Sequence, residues 1–212
     1  DVRNRMVARI ATQDQAGKLW LGTMDGVVQY NPVTEQYKEW NNREGKPPMI
    51  HYNSVRGMLC DEENNIWIAT GRGINKYVQK ENKMVFYSVN DSIPNSFYFS
   101  ADKDRNGNIW FGTRDHDGFY YYNTKVKKFY SIRSFPGMQV FAGHGGRKIF
   151  HDSKGRYWLG FNGTGMGMFD PATGKHYQWQ ASSKTGNGIS GNNVIDIKED
   201  KNGIIWVSTF TG

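Results

Sequence analysis

The sequence predicts an all-β chain folded as β-propeller blades, and three observations carry that prediction. Trp20, Trp67, Trp110, Trp158 and Trp206 recur at intervals of 43 to 48 residues. Each lies six positions after an aspartate: Asp14, Asp61, Asp104, Asp152 and Asp200. Glycine (25 residues) and aromatics (15%) are abundant, while apolar residues at helical spacing are absent. A repeat of ~40–50 residues made of short strands and tight turns is the signature of a four-stranded blade.

Each unit opens with a half-apolar strand a that ends at the aspartate, as in Val55 to Asp61 and Val194 to Asp200. An Asp-x-x-Gly turn follows (Asp14 to Gly17, Asp104 to Gly107, Asp152 to Gly155, Asp200 to Gly203), with Asn64 standing for Gly in the second unit. The carboxylate is placed to accept backbone N–H groups, and the closing Gly or Asn to turn left-handed. Strand b carries the tryptophan and, two residues on, a small residue: Gly22, Ala69, Gly112, Gly160 or Ser208. That small residue is expected to admit a neighbouring backbone. A fully buried indole removes ~150–250 Å² from water, an upper bound of roughly 4–6 kcal/mol per unit at ~25 cal/mol/Å². The five tryptophans are therefore expected to be inter-blade packing elements.

Strand c runs from a glycine to an aromatic four residues later: Gly26 to Tyr30, Gly73 to Tyr77, Gly118 to Tyr122, Gly165 to Phe169. A polar turn leads to an aromatic strand d with Tyr37 and Trp40, Phe86, Phe129, then Tyr177 and Trp179. The units are expected at about 4–40, 50–89, 96–133 and 145–180, with a half unit over 193–212. One sheet buries little alone, so blades must stack. About four and a half blades do not close a ring, and seven would need roughly 320 residues at this period. The chain reads as a partial propeller, part of a larger one.

Composition narrows the function. No apolar run approaches the ~18 residues that span a bilayer, so the segment reads as soluble. Cys60 is the single cysteine, which excludes an internal disulfide, and it reads as a small hydrophobe. Lys and Arg (27) exceed Asp and Glu (20) for a net charge of +7, but they are dispersed, and nucleic-acid binding is not expected.

Assembled from the rows, the consensus is D-x-x-G-x-[IL]-W-[ILV]-G-T followed by G-[VIF]-x-x-[YF]. Connectors such as Asp91-Ser-Ile-Pro-Asn95 and Gly188-Ile-Ser-Gly-Asn192 precede the next strand a. This pattern resembles the two-component regulator propeller repeat over essentially the whole chain. Departures are local: Phe161 for Thr, Ser208 for Gly and Asn64 for the turn Gly. The resemblance implies a seven-bladed propeller, often one of two in tandem, in the periplasmic sensor region of hybrid two-component histidine kinases. Those systems notably control glycan utilisation in gut bacteria. It implies a β-sandwich, one membrane span and the kinase further along the whole protein. For this segment it implies a non-catalytic sensor with an oligosaccharide ligand, no cofactor, a homodimer formed through the full-length protein, and contact with membrane only through a span outside it.

In a propeller the b–c and d–a loops share one end of each blade, opposite the uniform a–b turns. These loops vary between units, and variable loops on a rigid scaffold are where recognition concentrates. The b–c loops bring Met24, Asp25, Arg72, Arg114, Asp115, His116, Asp117 and Asn162; the d–a loops bring Arg43, Lys46, His51, Tyr52, Asn95, Arg133, Phe135, His144 and Asn192. Tyr52, Arg72, Arg114, His116, His144 and Asn162 are the candidate ligand contacts. Arginines, amides, histidines and aromatics suit a polar, acidic oligosaccharide or a peptide.

Other motifs weigh less. Asp102, Asp104 and Asn106 begin a calcium-loop pattern, D-x-D-x-N-G, but Thr113 stands where the bidentate Glu belongs. Hairpin chemistry explains the run better. Gly163 to Gly167 leads into a strand, so no helix N-terminus awaits a phosphate. The Asp115-His116-Asp117 run lacks a second cluster, and His151-Asp152 belongs to a turn. Asn162-Gly-Thr164 is a glycosylation sequon that matters only in a secreted eukaryotic protein. An alternative reading is a polysaccharide-active propeller enzyme, a hydrolase or lyase, for which Asp25, Asp115 and Asp117 are the nearby acids. A protein-binding platform is the third.

Overall fold

The computed structural model describes residues 7–42, 49–114, 117–182 and 188–211. Its strands are β1 (Ile10–Gln13), β2 (Leu19–Thr23), β3 (Gly26–Tyr30), β4 (Tyr37–Trp40), β5 (Val55–Cys60), β6 (Ile66–Thr70), β7 (Gly73–Val78), β8 (Lys83–Tyr87) and β9 (Tyr98–Lys103). Then come β10 (Ile109–Thr113), β11 (Phe119–Asn123), β12 (Lys128–Ser131), β13 (Gly146–His151), β14 (Tyr157–Phe161), β15 (Met166–Phe169), β16 (His176–Trp179), β17 (Val194–Glu199) and β18 (Ile205–Thr209). They form four-stranded meanders β1-β2-β3-β4, β5-β6-β7-β8, β9-β10-β11-β12 and β13-β14-β15-β16, and the hairpin β17-β18. This is the a-b-c-d order the repeat predicts. The chain divides into two compact units, residues 1–101 and 102–212.

The six-residue spacing from Asp to Trp has a direct cause. In every unit the indole Nε1–H donates to Oδ2 of the turn aspartate, at 2.9 Å for Trp20, 2.8 Å for Trp67, 2.9 Å for Trp110, 2.8 Å for Trp158 and 3.0 Å for Trp206. The other carboxylate oxygen accepts the amides two and four residues on, for example Ala16 and Lys18 at Asp14 and Asn106 and Asn108 at Asp104. One carboxylate thus closes the hairpin and orients the ring. The turn closes on left-handed residues, Gly17 at φ 79° and Asn64 at φ 63°, a region Asn tolerates better than most.

These clasps predict acid sensitivity. At Asp152 burial alone would raise the pKa, but bonds from the Trp158 indole, the Arg156 amide and the Arg156 guanidinium outweigh it and hold the carboxyl below its usual value. At Asp200 the Trp206 indole is the main cause of a similar lowering. A depressed folded pKa adds stability that is complete above the unfolded value of ~3.9 and lost as pH falls through the folded one. The urea midpoint, followed by tryptophan fluorescence, should therefore hold steady from pH 7 to about 5 and drop below about pH 4. A midpoint that climbed toward pH 3 would contradict the clasp.

In unit 1 the core gathers Trp20, Val27, Trp40, Ile50, Val55, Met58, Ile66, Ile68 and Tyr77, with Cys60 packed at its margin. Trp20 lies 5.0 Å from Trp40 of its own sheet and 5.3 Å from Tyr77 of the next. In unit 2 Trp110 meets Tyr121 at 4.7 Å and, on the following sheet, Tyr157 at 5.7 Å. The expected inter-blade packing therefore holds for these indoles. Trp158 is half-buried, stacked on Trp179 and against the β17-β18 hairpin. Trp206 departs from the expectation at 63% exposed, because no described strand follows β18 to cover it.

Two further expectations need correction. The small residue on strand b admits a side chain rather than a backbone: a Cβ on Gly22 would stand 2.5 Å from Val55 Cγ1, and one on Gly160 2.5 Å from Val194 Cγ1. The backbone approach occurs instead at Gly57, where a Cβ would meet Ala101 N at 2.5 Å. Phe135, expected in a ligand loop, belongs to the core. Two 3-10 turns between β12 and β13 (Ile132–Ser134 and Gln139–Phe141) bury Ile132 and Phe141, and Phe135 packs 5.1 Å from Trp110.

The calcium reading also fails on geometry. Asp104 already accepts from the Asn106 and Asn108 amides, Asn108 Nδ2, Trp110 Nε1 and the Tyr157 hydroxyl. Asp102 pairs with the Lys148 ammonium at 2.9 Å, and Lys148 also reaches Asp196 at 3.4 Å. Burial alone would lower the Lys148 pKa, but the two carboxylates outweigh it and raise it. Neither Asp102 nor Asp104 is left open to a cation, and Asn106 serves the turn through its backbone.

Candidate functional site

The threonine that ends strand b shapes the b–c loop. Thr23 Oγ1 donates to Gly26 O at 3.0 Å and accepts the Asp25 amide at 2.9 Å. Thr70 Oγ1 likewise donates to Gly73 O at 2.9 Å and accepts the Arg72 amide at 3.3 Å. One hydroxyl thus satisfies both sides of a two-residue loop and fixes the residue at its tip. In unit 1 that residue is Arg72, which is exposed, with its guanidinium 5.4 Å from the Tyr52 ring centre. The Gly71 amide donates to Ser54 O at 3.1 Å, and a Cβ on Gly71 would stand 2.5 Å from the Tyr52 ring. A bare α-carbon lets the ring lie against the loop. Arg72 and Tyr52 are therefore brought together.

In unit 2 the longer b–c loops need other supports. Gly118, at φ 74°, packs directly on the His144 carbonyl. The Asn162 amide donates to Gly145 O at 2.8 Å. His144 Nδ1 is 2.9 Å from Thr164 Oγ1, and its ring stacks on Phe161 at 4.6 Å and 25°. Phe161 stands where other units have Thr, so the departure from the repeat supplies the platform for the histidine. Asn162 Oδ1 accepts from Arg147 Nη1 at 3.5 Å. Asn162 and the carbonyl of exposed Arg114 both lie 3.5 Å from where a Cβ on Gly145, the residue after His144, would be. His116, with Asp115, Arg43 and Lys46, lies outside the described residues.

Other loop residues have structural partners. His51 stacks on Phe86 at 3.7 Å, and its amide donates to Asn75 Oδ1 at 3.0 Å. Asn192 accepts the Gly163 and Gly165 amides on its carbonyl and the Ala181 amide on its side chain. Asp117 accepts from Arg133 at 2.6 Å and from the Tyr120 hydroxyl at 3.3 Å. Burial alone would raise the Asp117 pKa, but these bonds and the Arg133 charge outweigh it and hold the carboxyl low. Asp25 accepts from Asn53 Nδ2 at 3.3 Å.

Sequence reasoning missed Arg56, whose guanidinium lies 5.0 Å from the Phe97 ring centre, and Arg147. Both sit where strand alternation gives no signal, because the ladder slips a residue there. A shallow open groove of about 540 Å³ lined by Lys18, Gln29, Asn31, Glu35, Gln36, Tyr37 and Lys38 lies at the turn end of the first sheet. It is remote from these loops, and its charged residues are Lys18, Lys38 and the single acid Glu35. Among the described residues no cluster of three His, Cys, Asp or Glu could hold a metal ion, and no helix is long and apolar enough to cross a membrane.

The family model described as two component regulator propeller matches residues 50–72, 92–115 and 188–211. These three matches fall on the second, third and fifth repeats. No curated protein matches the chain. Among solved structures, the extracellular domain of the hybrid two component system BT3049 from B. thetaiotaomicron superposes with a TM-score of 0.77 at 20% identity, over 99% of this chain and 28% of that one. The extracellular domain of BT4673 from the same organism gives 0.77 at 19%, over 95% and 26%. Virginiamycin B lyase from Staphylococcus aureus gives 0.68 at 15%, over 95% and 63%. The fold is therefore that of β-propeller blades, and the chain spans about a quarter of the length of the two extracellular domains.

Proposed function

We propose that this chain, three of whose repeats match the two component regulator propeller model, is a non-catalytic ligand-sensing segment of the periplasmic sensor region of a hybrid two-component histidine kinase. Its signal is an oligosaccharide met by the b–c and d–a loops, and the whole protein acts as a homodimer anchored by a span outside this segment. The observation that carries the reading is the contrast between the two ends of each repeat. The Asp-Trp clasp is the same five times, whereas the loops at the other end differ in length and present Tyr52 and Arg72 in one unit and Arg114, His144 and Asn162 in the other. A ligand preferring one arrangement of such loops would shift the population of signalling states.

The test uses the complete extracellular region with a library of oligosaccharides. Affinity without turnover is expected. Changing Arg72, Arg114 and His144 together to alanine should weaken binding by about a hundredfold, if two charged contacts of ~1.5 kcal/mol each are lost. Undiminished affinity in that triple variant would remove these residues from the site.

The lyase with the same fold favours one second reading, a propeller enzyme. Two observations count against it here: Asp117 is committed to Arg133, and Asp25 accepts a hydrogen bond from Asn53 Nδ2. Product formation on incubation with glycans would establish it.

A further inference from the structure

The first sheet departs from the repeat on one face. The register sets Trp20 of β2 against Gln29 of β3, and Gln29 against Lys38 of β4, so the three share that face. Val27 and Trp40 lie on it too, paired with each other and buried in the unit 1 core beside Tyr77. The face is therefore apolar toward the loop end. Toward the turn end it becomes polar, and there the groove of about 540 Å³ opens.

In the other four-stranded sheets the matching positions serve the clasp or the core. Two residues before the tryptophan, Asn65 Nδ2, Asn108 Nδ2 and Arg156 Nε donate to the turn aspartate at 3.2, 2.9 and 2.6 Å. Opposite the tryptophan, Lys76 reaches Asp61 at 3.6 Å, Tyr121 stacks on Trp110 at 4.7 Å, and Met168 is buried. In the first sheet these two places hold Lys18 and Gln29, and neither side chain joins the Asp14 clasp. Lys18 and Lys38 make no ion pair among the described residues, even with Glu35, the one acid on the groove. Gln29 is only 8% exposed, yet its side-chain amide has no hydrogen-bond partner among the described residues. An amide so withdrawn from water is costly until something pairs with it. A repeat that gives up its packing rule at one place, and sets unpaired cations there, has the form of a site rather than of a core.

We infer that this groove is a second ligand site, and that it takes the oxyanion group (carboxylate, phosphate or sulfate) of a small polar molecule. Lys18 leads into β2 and Lys38 lies on β4, so the two lysines flank the strand that carries Gln29. They supply the positive charge, and the Gln29 amide donates to the bound oxygen. Lysine acts as a point charge with rotatable donors, which suits an oxyanion of any of these shapes. One sheet provides every residue, at the turn end, so the site stands apart from the ligand proposed for the loop end.

The full chain would be titrated at constant ionic strength with glucuronate, with its neutral counterpart glucose and with inorganic phosphate, while nuclear magnetic resonance follows the amide signals. An oxyanion should shift the Gln29 side-chain signal with a Kd on the order of a millimolar, as suits a shallow groove, and glucose should not. Lys18→Gln and Lys38→Gln should each weaken binding about fivefold, read from the backbone signals of β3 and β4. Lys125→Gln, on an exposed turn of another sheet, should leave it unchanged. Gln29→Leu should weaken binding while leaving the melting temperature level or higher, because no hydrogen bond is lost; a glutamine kept for structure would lower it. Glucuronate and phosphate binding alike would assign the groove to a free oxyanion, and glucuronate binding about tenfold tighter would assign it to the acid group of a sugar. A Gln29 signal unmoved by either oxyanion, or moved equally by glucose, would overturn the site. Affinity unaltered in both lysine variants would overturn it as well. None of these results bears on the loop-end ligand, whose residues lie at the other end of the blades.

Discussion

Asp104→Asn is expected to cost about 3 kcal/mol or more of stability, among the largest effects of any near-isosteric change in the chain. Its Oδ2 accepts from Trp110 Nε1, Asn108 Nδ2 and the Tyr157 hydroxyl, and its Oδ1 accepts two backbone amides. An amide keeps one acceptor and presents an N–H to the other set of donors. Whichever way it turns, at least two donors lose their partner, one or more of them buried, at ~1–3 kcal/mol each. Burial holds Tyr157 well above the usual phenol range, so its hydroxyl stays protonated and needs that acceptor. Urea unfolding followed by indole fluorescence reads the effect. The same change at Asp200 should matter far less, because Trp206 is 63% exposed and water replaces the lost bond. Equal losses at both positions would mean that the clasp does not draw its strength from burial.

Gly57→Ala should destabilise by about 3 kcal/mol, although it adds only a methyl group. That methyl would stand 2.5 Å from Ala101 N and 2.6 Å from Ser100 C. Both are backbone atoms, so relief requires moving a strand rather than turning a side chain. Gly174→Ala is the matched control. Its Cβ would meet nothing within 4 Å, and only the left-handed backbone at φ 71° opposes it, at ~1–2 kcal/mol. Comparing the two denaturation midpoints separates steric from conformational cost. A loss at Gly57 no larger than at Gly174 would show that the two inner strands can part without penalty.

The two substitutions show which features could be read from the chain alone. Asp104 announces itself, since an aspartate six residues before a tryptophan recurs five times and a repeated spacing encodes a repeated contact. Gly57 does not. Its counterparts four residues before the turn aspartate are Ile10, Ser100, Lys148 and Asp196, which read as a tolerant position. Only the closeness of β5 to the Ser100–Ala101 backbone makes it intolerant. Phe135 shows the same limit from the other side. Aromatic and in a connector, it looked available to a ligand, yet the 3-10 turns after β12 carry it onto Trp110.

From the sequence by itself came the sheets, their a-b-c-d order, the Asp-x-x-Gly hairpins and the packing role of most tryptophans, because each follows from local chemistry repeated at a fixed period. The residues that could meet a ligand were decided only in three dimensions. Arg72 finds Tyr52, and His144 finds Thr164 and Phe161, across loops of unequal length. Arg56 and Arg147 are re-aimed by a slip of one residue in the ladder. A strand's alternation assumes an unbroken register, so one extra residue reverses which way a side chain points, and no linear pattern records where that residue was inserted.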